Sequence, residues 1–236
     1  MSRLAALNNA VHRHIRVNQE QVLAQAAQLN MVPVILSEFL KLCVQYPIVL
    51  TKNGATGQFT CVALFGFDKA ENLFWTQGRW DAIYVPLQIS RQPFFLGADG
   101  DPSQAAVCID TMHSSVQQSQ GEAIFDEHGA ETPYLQKAKQ MLATLLNGEE
   151  QTNQFIRRLL ALELLRPMRL EIEFADRQKQ QVQGLYTIDE ERLKLLSGET
   201  IAELHSLEYV GPIYTMLASL GHIYSLVQRK NRQLAR

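Results

Sequence analysis

The chain has 236 residues, of which 46% are hydrophobic and 19% charged, and its net charge is −2. A chain of this length fits one large domain or two small ones, and the apolar fraction is sufficient for a folded core. The near-neutral charge excludes a general electrostatic attraction to nucleic acid or to an anionic membrane.

Residues 1–30 are polar, and they carry a cluster of basic side chains at His12, Arg13, His14 and Arg16. The cluster can be read as a basic or metal-binding arm, but the His-x-His pair lacks two further ligands at a recognisable spacing. A leader that is mobile or packed on the surface is the simpler interpretation. The segment has no apolar stretch of the kind found in signal peptides, so a cytoplasmic location is expected.

A predicted helix and a predicted β-hairpin follow in residues 32–67. Apolar side chains recur at helical spacing over residues 37–45, and Pro47 prevents the helix from continuing. The apolar runs 48–50 and 59–67 are typical of strands, and the Asn-Gly pair between them tolerates the positive φ angles of a reversal. Short elements are expected after the hairpin: a strand at 71–75, a helix at 82–89 and an extended stretch at 91–96.

The three cysteines, Cys43, Cys61 and Cys108, are odd in number and far apart in sequence, and each has apolar neighbours. We expect them to be buried, reduced thiols. Such thiols fit a cytosol-like compartment.

The middle of the chain has a turn-rich link at 97–103, followed by predicted strands at 105–109 and 122–125. Asp99 and Asp101 have the spacing that begins a calcium loop, but the glutamate that completes such a loop is missing. A solvated turn is the simpler interpretation.

Two amphipathic helices are predicted between Thr132 and Arg166. Thr132 is a good N-cap, Pro133 suits the first helical position, and Asn147-Gly148 separates the two helices. Joined by a short turn, the helices would pack antiparallel and cover each other's apolar stripes.

The clearest β-pattern of the chain is a hairpin at 168–188. Apolar residues alternate with charged residues along its first strand, which is the period of a half-buried strand. Asp189 is expected to cap a short helix at 190–196, and a capping-box spacing begins another at Thr200.

A last helix is predicted from Gly211 to Val227. Residues 209–227 contain no acidic side chain, lysine or arginine, and their length approaches that of a membrane span. Their glycine, proline, serine, threonine and histidine content favours a core helix instead. We therefore expect no membrane span.

These patterns predict an α+β fold, in which an antiparallel β-sheet built from hairpins is flanked by amphipathic helices. The expected division is a polar leader at 1–30, a single domain at 31–228 and a basic tail at 229–236. Cations such as Arg229 and Lys230 suit the frayed C-terminal end of a helix. A nucleic-acid-binding tail is the alternative, but no nucleic-acid partner is expected.

The sequence contains no complete catalytic motif. Gly-rich phosphate loops, serine nucleophile elbows, paired CxxC motifs and HExxH helices are all missing from it. No cofactor is predicted, and the balance of the observations favours a protein that is not an enzyme.

The most interesting polar cluster follows the predicted hairpin. Arg79, Trp80 and Asp81 place an indole between opposite charges, and Tyr84 and Arg91 come shortly after. Such residues can line a ligand pocket through stacking and ion pairing. The simpler alternative is a corner in which Trp80 packs and its neighbours form a local salt bridge.

A second cluster is Cys108, Asp110 and His113, all of which can bind metals. On a strand, Cys108 and Asp110 point to one side, and further ligands would have to come from Asp126 or His128. A thiol in the core is the simpler interpretation of Cys108. No metal is predicted, and this cluster remains the weak alternative.

The chain resembles the bacterial SapC family over about residues 30–225. The sequence segments that match the family include Val32-Pro33-Val34, Glu38-Phe39, Tyr46-Pro47-Ile48-Val49, Val62 to Gly66, Glu71 to Phe74, Gly78 to Pro86, Cys108-Ile109-Asp110, Gly121 to Asp126, Thr132 to Leu135, and Gly184 to Glu190.

The resemblance implies a protein related to a bacterial surface layer (S-layer), and the family name makes surface association the alternative to the cytoplasmic location expected from the sequence. The peptide-transporter permease called SapC shares only the name. Members of the family are said to lie near halogenase-like and cupin-like enzymes and outer-membrane receptors. The partners implied are therefore such enzymes or envelope proteins.

Two functions follow from the sequence. The first is a non-enzymatic accessory protein that binds a peptide, protein or small ligand near Arg79, Trp80 and Asp81. The alternative is an enzyme or enzyme partner in a tailoring pathway, centred on Cys108, Asp110 and His113. An enzyme should have a pocket with convergent titratable groups, whereas an interaction protein should expose an apolar surface.

Overall fold

The computed structural model describes residues 3–97 and 106–235. In chain order the helices are α1 Asn9–His12, α2 Gln19–Gln25, α3 Phe39–Leu42, α4 Leu87–Ser90, α5 Pro133–Ala161, α6 Glu190–Lys194, α7 Gly198–Ser206, α8 Val210–Ser219 and α9 His222–Leu234. The strands are β1 Leu4–Ala6, β2 Arg16–Val17, β3 Met31–Pro33, β4 Ile48–Lys52, β5 Phe59–Leu64, β6 Trp75–Thr76, β7 Arg79–Trp80, β8 Phe94–Gly97, β9 Ala106–Asp110, β10 Val116–Gln117, β11 Glu122–Ala123, β12 Leu165–Glu173 and β13 Lys179–Ile188. Helices and antiparallel sheets together confirm the predicted α+β class.

The chain divides into two compact units, each assembled from separate stretches of sequence. The first unit comprises Met1–Ala27, Trp75–Trp80 and Leu87–Asn147. The second comprises Gln28–Phe74, Asp81–Pro86 and Gly148–Arg236. This division differs from the leader, single domain and tail expected from the sequence.

In the part of the first unit that the structure describes, there are three small antiparallel sheets, in the orders β1-β9-β8, β10-β2-β11 and β6-β7. Its core is a cluster of buried apolar residues: Val17, Val22, Phe94, Ile109, Ile124, Phe125, Leu135, Ala138 and Leu142. The segment expected to be a leader therefore supplies two valines to a core. Its asparagines have a structural use, because Asn8 and Asn18 accept backbone N–H groups as N-caps of α1 and α2.

The second unit contains a five-stranded sheet in the order β12-β13-β4-β5-β3. Both predicted hairpins are confirmed, as β4 with β5 and β12 with β13. They join through Leu185 opposite Thr51 and Tyr186 opposite Leu50. Asp189 caps α6 as predicted, accepting the N–H groups of Glu191 and Arg192.

The prediction of two amphipathic helices is wrong, because Pro133–Ala161 is a single helix. Gly148 does not interrupt it. A Cβ atom at Gly148 would overlap the side chain of buried Ile35, so the glycine permits close packing within the second unit. A sequence pattern cannot separate this use of glycine from a helix end.

The last predicted helix is two helices in the structure, α8 and α9, with a break at Leu220 and Gly221. By length and composition Val210–Leu234 could cross a membrane, and only 28% of its apolar window is buried. Polar atoms of the stretch nevertheless bond within the second unit. Ser219 Oγ accepts the Ile48 N–H at 2.9 Å, and His222 Nε2 lies 2.7 Å from the Cys43 carbonyl oxygen.

Several short elements differ from the expectation. The helix expected at 82–89 forms only at Leu87–Ser90, and the strand expected at 71–75 is reduced to Trp75–Thr76. The strand expected at 122–125 is Glu122–Ala123, and it pairs with β2. Apart from Gly97, the expected turn at 97–103, with Asp99 and Asp101, lies outside the described residues.

Candidate functional site

The five residues of the predicted ligand site divide between the two units. Arg79, Trp80 and Arg91 belong to the first unit, and Asp81 and Tyr84 belong to the second. The burial, hydrogen bonds and ion pairs of each residue show which side chains have partners within their own unit.

In the first unit, Arg79 and Trp80 form one strand of the β6-β7 ribbon. Trp80 lies opposite Trp75, and Arg79 is exposed. Arg91 is half-buried, and its guanidinium donates to Gln88 Oε1 at 2.8 Å and to the Phe94 carbonyl oxygen at 2.7 Å. Burial lowers the pKa of this guanidinium from its usual value. These bonds give Arg91 a structural role at the start of β8.

In the second unit, Asp81 is engaged by Arg229 of α9. Arg229 Nη1 donates to Asp81 Oδ2 at 2.7 Å, and Nη2 donates to the Asp81 carbonyl oxygen at 3.1 Å. The guanidinium also lies 4.4 Å from the ring centroid of Phe74. Lys230 forms ion pairs with Asp68 and Glu71. The expectation of a frayed basic end is therefore wrong for Arg229 and Lys230.

Tyr84 takes part in a buried polar contact that sequence reasoning missed. Its hydroxyl donates to Glu38 Oε1 at 3.0 Å, and Glu38 Oε2 accepts the Ile35 N–H at 3.3 Å. Glu38 is only 1% exposed. Burial, and then the nearby Glu38 carboxylate, raise the pKa of the Tyr84 hydroxyl far above its usual value. Tyr84 therefore remains a hydrogen-bond donor at physiological pH.

Tyr46 and Lys41 hold the backbone and the ring of Tyr84. The Tyr46 hydroxyl donates to the Tyr84 carbonyl oxygen at 2.6 Å, and Lys41 Nζ lies 5.6 Å from the centroid of the Tyr84 ring. The fully buried Tyr46 ring packs against Phe65 and Phe74. We call Glu38, Tyr46 and Tyr84 the polar anchor.

An exposed apolar surface lies beside the polar anchor. Leu40 is 76% exposed, Val44 54% and Ile83 83%. Leu40 and Val44 are four residues apart on α3 and its continuing turn, so they share one face. The Ile83 N–H donates to Gln45 Oε1, which holds Ile83 at the same end of α3. We call Leu40, Val44 and Ile83 the α3 surface.

In the alternative centre, which lies in the first unit, the side chains of Cys108, Asp110 and His113 already form hydrogen bonds with nearby residues. Asp110 Oδ1 accepts the N–H groups of Arg3 at 2.9 Å and Met112 at 3.0 Å. His113 Nδ1 lies 2.7 Å from Ser115 Oγ, and burial lowers the pKa of His113. Cys108 Sγ contacts the Ala106 carbonyl oxygen. In the part of the chain that the structure describes, no three His, Cys, Asp or Glu side chains form a metal-binding group.

The basic residues near the N-terminus have separate roles. His12 is buried, and its Nδ1 accepts the Asn8 N–H at 3.0 Å. Arg13, His14 and Arg16 line a groove of about 450 Å³ in the first unit, together with Asp126. The Ala130 N–H bond lowers the pKa of Asp126, which keeps this carboxylate ionised beside the cations. Cations and the two carboxylates of Asp126 and Glu127 therefore share the wall of this groove.

The cysteines differ from the expectation of three buried thiols. Cys61 is fully buried, and burial raises the pKa of its thiol to about 12, whereas Cys43 and Cys108 are half-buried. Because the thiolate is the reactive form, a maleimide at neutral pH should label Cys43 and Cys108 and leave Cys61 unmodified. Peptide mass spectrometry checks this, with chemically denatured protein as the control in which all three thiols react. Labelling of Cys61 at the rate of Cys43 in folded protein would contradict the buried position.

The structure thus defines an α+β protein whose second unit combines a polar anchor, built on buried Glu38 and Tyr46, with an exposed apolar surface. The model of the SapC family matches residues 7–226, so the chain belongs to the SapC family. No match was found among curated proteins or among solved structures.

Proposed function

We propose that this SapC-family chain is a non-enzymatic accessory protein that binds a protein or peptide partner through the α3 surface. The observation that carries the proposal is the exposure of Leu40, Val44 and Ile83 directly beside the polar anchor. Neighbouring large apolar side chains at this level of exposure are typical of interaction surfaces.

The polar anchor supports this proposal because it restricts the backbone that presents the α3 surface. Tyr84 is held through its hydroxyl, its ring and its carbonyl oxygen, and Ile83 is its immediate neighbour. A surface that is ordered before binding loses less conformational entropy on association. Exposed Lys41 follows Leu40 directly, and exposed Asp81 lies two residues before Ile83. Polar side chains commonly surround the apolar centre of an interface.

Capture of a partner with matched variants tests the proposal. Ile83→Asp introduces a charge into the α3 surface without removing a buried contact, so it should weaken partner binding at least about tenfold. Leu195→Asp is the matched control, because Leu195 is 84% exposed in the same unit and lies after α6. Tagged wild-type chain and both variants are recovered from the native cell, and bound proteins are quantified by mass spectrometry.

A partner retained by wild type and Leu195→Asp but lost from Ile83→Asp is the expected result. Equal retention by all three chains would refute the α3 surface as the binding site. Fractionation of the same sample distinguishes an envelope partner from a cytosolic halogenase-like or cupin-like enzyme, the two classes that the family resemblance suggests.

A further inference from the structure

The outer edge of β12 is the longest unpaired strand edge in the second unit's sheet. β12 is the terminal strand in the order β12-β13-β4-β5-β3, and it has nine residues. Among the residues that the structure describes, none bonds to the backbone of β12 on the side opposite β13. Natural proteins either protect such an edge, for example with proline or charged side chains, or pair it with a partner strand.

Two hydrogen bonds at the ends of β12 fix the direction of its backbone groups. The Phe174 N–H donates to the Gln178 carbonyl oxygen, and the Leu164 carbonyl oxygen accepts the Asp189 N–H. Backbone direction alternates along a strand. The even-numbered residues of β12 therefore face β13, and the odd-numbered residues present their backbone groups at the open edge. Pro167, which has no N–H, is one of the odd-numbered residues, as is usual for proline in an edge strand.

The β-bulge of the hairpin lies on β13, so the backbone of β12 itself is regular. Met168 is opposite Leu185, whereas Leu170 is opposite Val182, so the extra residue is on β13. Gly184 adopts a φ angle of +82° there. A partner strand could therefore pair with β12 without meeting a bulge, and within β12 Pro167 is the one position without an N–H donor.

We propose that two copies of this chain pair through β12, antiparallel, about a twofold axis at Leu170. The sequence of β12 is self-complementary in this arrangement. Arg169 lies opposite the partner's Glu171, and Met168 lies opposite the partner's Ile172. A twofold interface uses the same surface on both copies, so each of these pairs occurs twice.

The backbone directions agree with this alignment. Arg169 and Glu171 are both odd-numbered, so each such pair can exchange two N–H···O bonds. Leu170 faces the partner's Leu170 at the closely spaced, non-hydrogen-bonded position, where side chains approach most closely. Half-buried Met168 and buried Ile172, each two residues from Leu170 on the same strand, extend the apolar row on both sides.

The neighbouring alignments are less favourable. A shift of the axis to Arg169 places two arginines opposite each other, and a shift to Glu171 places two glutamates opposite each other. Like charges directly opposite are destabilising in antiparallel pairs, whereas opposite charges stabilise. Arg169 and Glu171 are exposed, and these charges select the alignment centred on Leu170.

The oligomeric state of the full chain tests the proposal. Sedimentation over a concentration series should show a monomer–dimer equilibrium for wild type. Glu171→Arg places like charges in two symmetry-related pairs and should weaken dimerisation at least about tenfold. Arg169→Glu combined with Glu171→Arg restores opposite charges and should restore dimerisation. Glu149→Arg makes the same charge change on an exposed position of α5, so it is the matched control and should behave as wild type.

Disulfide formation measures the alignment independently of affinity. Under mild oxidation Leu170→Cys should yield a covalent dimer, because its two copies lie directly opposite. Met168→Cys should not, because it faces the partner's Ile172. Wild type provides the background from the native cysteines. A wild-type chain that remains monomeric up to about 1 mM, failure of the double charge exchange, or equal cross-linking of both cysteine variants would overturn the proposal.

Discussion

Replacing Glu38 with alanine is expected to lower the free energy of unfolding by roughly 2–5 kcal/mol. The carboxylate is 1% exposed and accepts the Tyr84 hydroxyl and the Ile35 N–H. Alanine removes both acceptors, leaves two donors without these bonds and opens a cavity. Chemical denaturation followed by circular dichroism measures the loss.

Two companion variants separate the hydrogen bonds from the cavity. Glu38→Gln keeps the shape and one acceptor, so its loss should be about 1 kcal/mol. Tyr84→Phe removes only the hydroxyl, and its loss should be about 1–3 kcal/mol. In a double-mutant cycle with Glu38→Ala the two losses should be less than additive, with a coupling above about 0.5 kcal/mol. A Glu38→Ala chain as stable as wild type would show that the polar anchor does not hold Tyr84.

Replacing Gly121 with alanine should destabilise the first unit by about 3–5 kcal/mol. Gly121 has a φ angle of +100°, which side chains disfavour, and a Cβ atom there would overlap the Val17 carbonyl oxygen. Gly121 lies between β10 and β11, which both pair with β2. The strain and the overlap therefore disturb the same small sheet. A fall of this size is a large part of a typical domain's stability, and thermal unfolding should detect it.

Alanine substitutions at two other glycines serve as controls for the glycine-to-alanine change itself. Gly184 also has a positive φ angle but open space around its Cβ position, so Gly184→Ala should show only the strain. Gly54 has open space and no positive φ angle, so Gly54→Ala should leave stability within about 0.5 kcal/mol. If Gly121→Ala lost no more stability than Gly184→Ala, the close approach to Val17 would be absent in solution.

The sequence predicted the parts of the fold that depend on neighbours along the chain. The hairpin at 168–188 and the cap at Asp189 were recognisable because alternation and capping are local signals. The unbroken α5 was not, because the reason for Gly148 is its packing against Ile35, far away in sequence. The joining of two hairpins into one sheet through Tyr186 and Leu50 has the same non-local character.

The candidate site was predictable only in part for a similar reason. Asp81 and Tyr84 stood out as polar and aromatic residues in a turn-rich segment. Their partners Arg229 and Glu38 lie 148 and 46 residues away, and no spacing rule connects such positions. Glu38 was visible as a charged residue within a helical apolar pattern, which is the one sequence signal that could have indicated a buried carboxylate.

The interleaving of the two units along the chain has a consequence for synthesis on the ribosome. The β4-β5 hairpin emerges early, but β13, which pairs with the other side of β4, is complete only at Ile188. The nascent chain therefore holds an open sheet edge while the remaining stretches of the first unit, up to Asn147, are still being made. An open edge during synthesis favours aggregation. Slower translation before residue 188 should therefore lower the soluble yield, whereas slower translation after it should not.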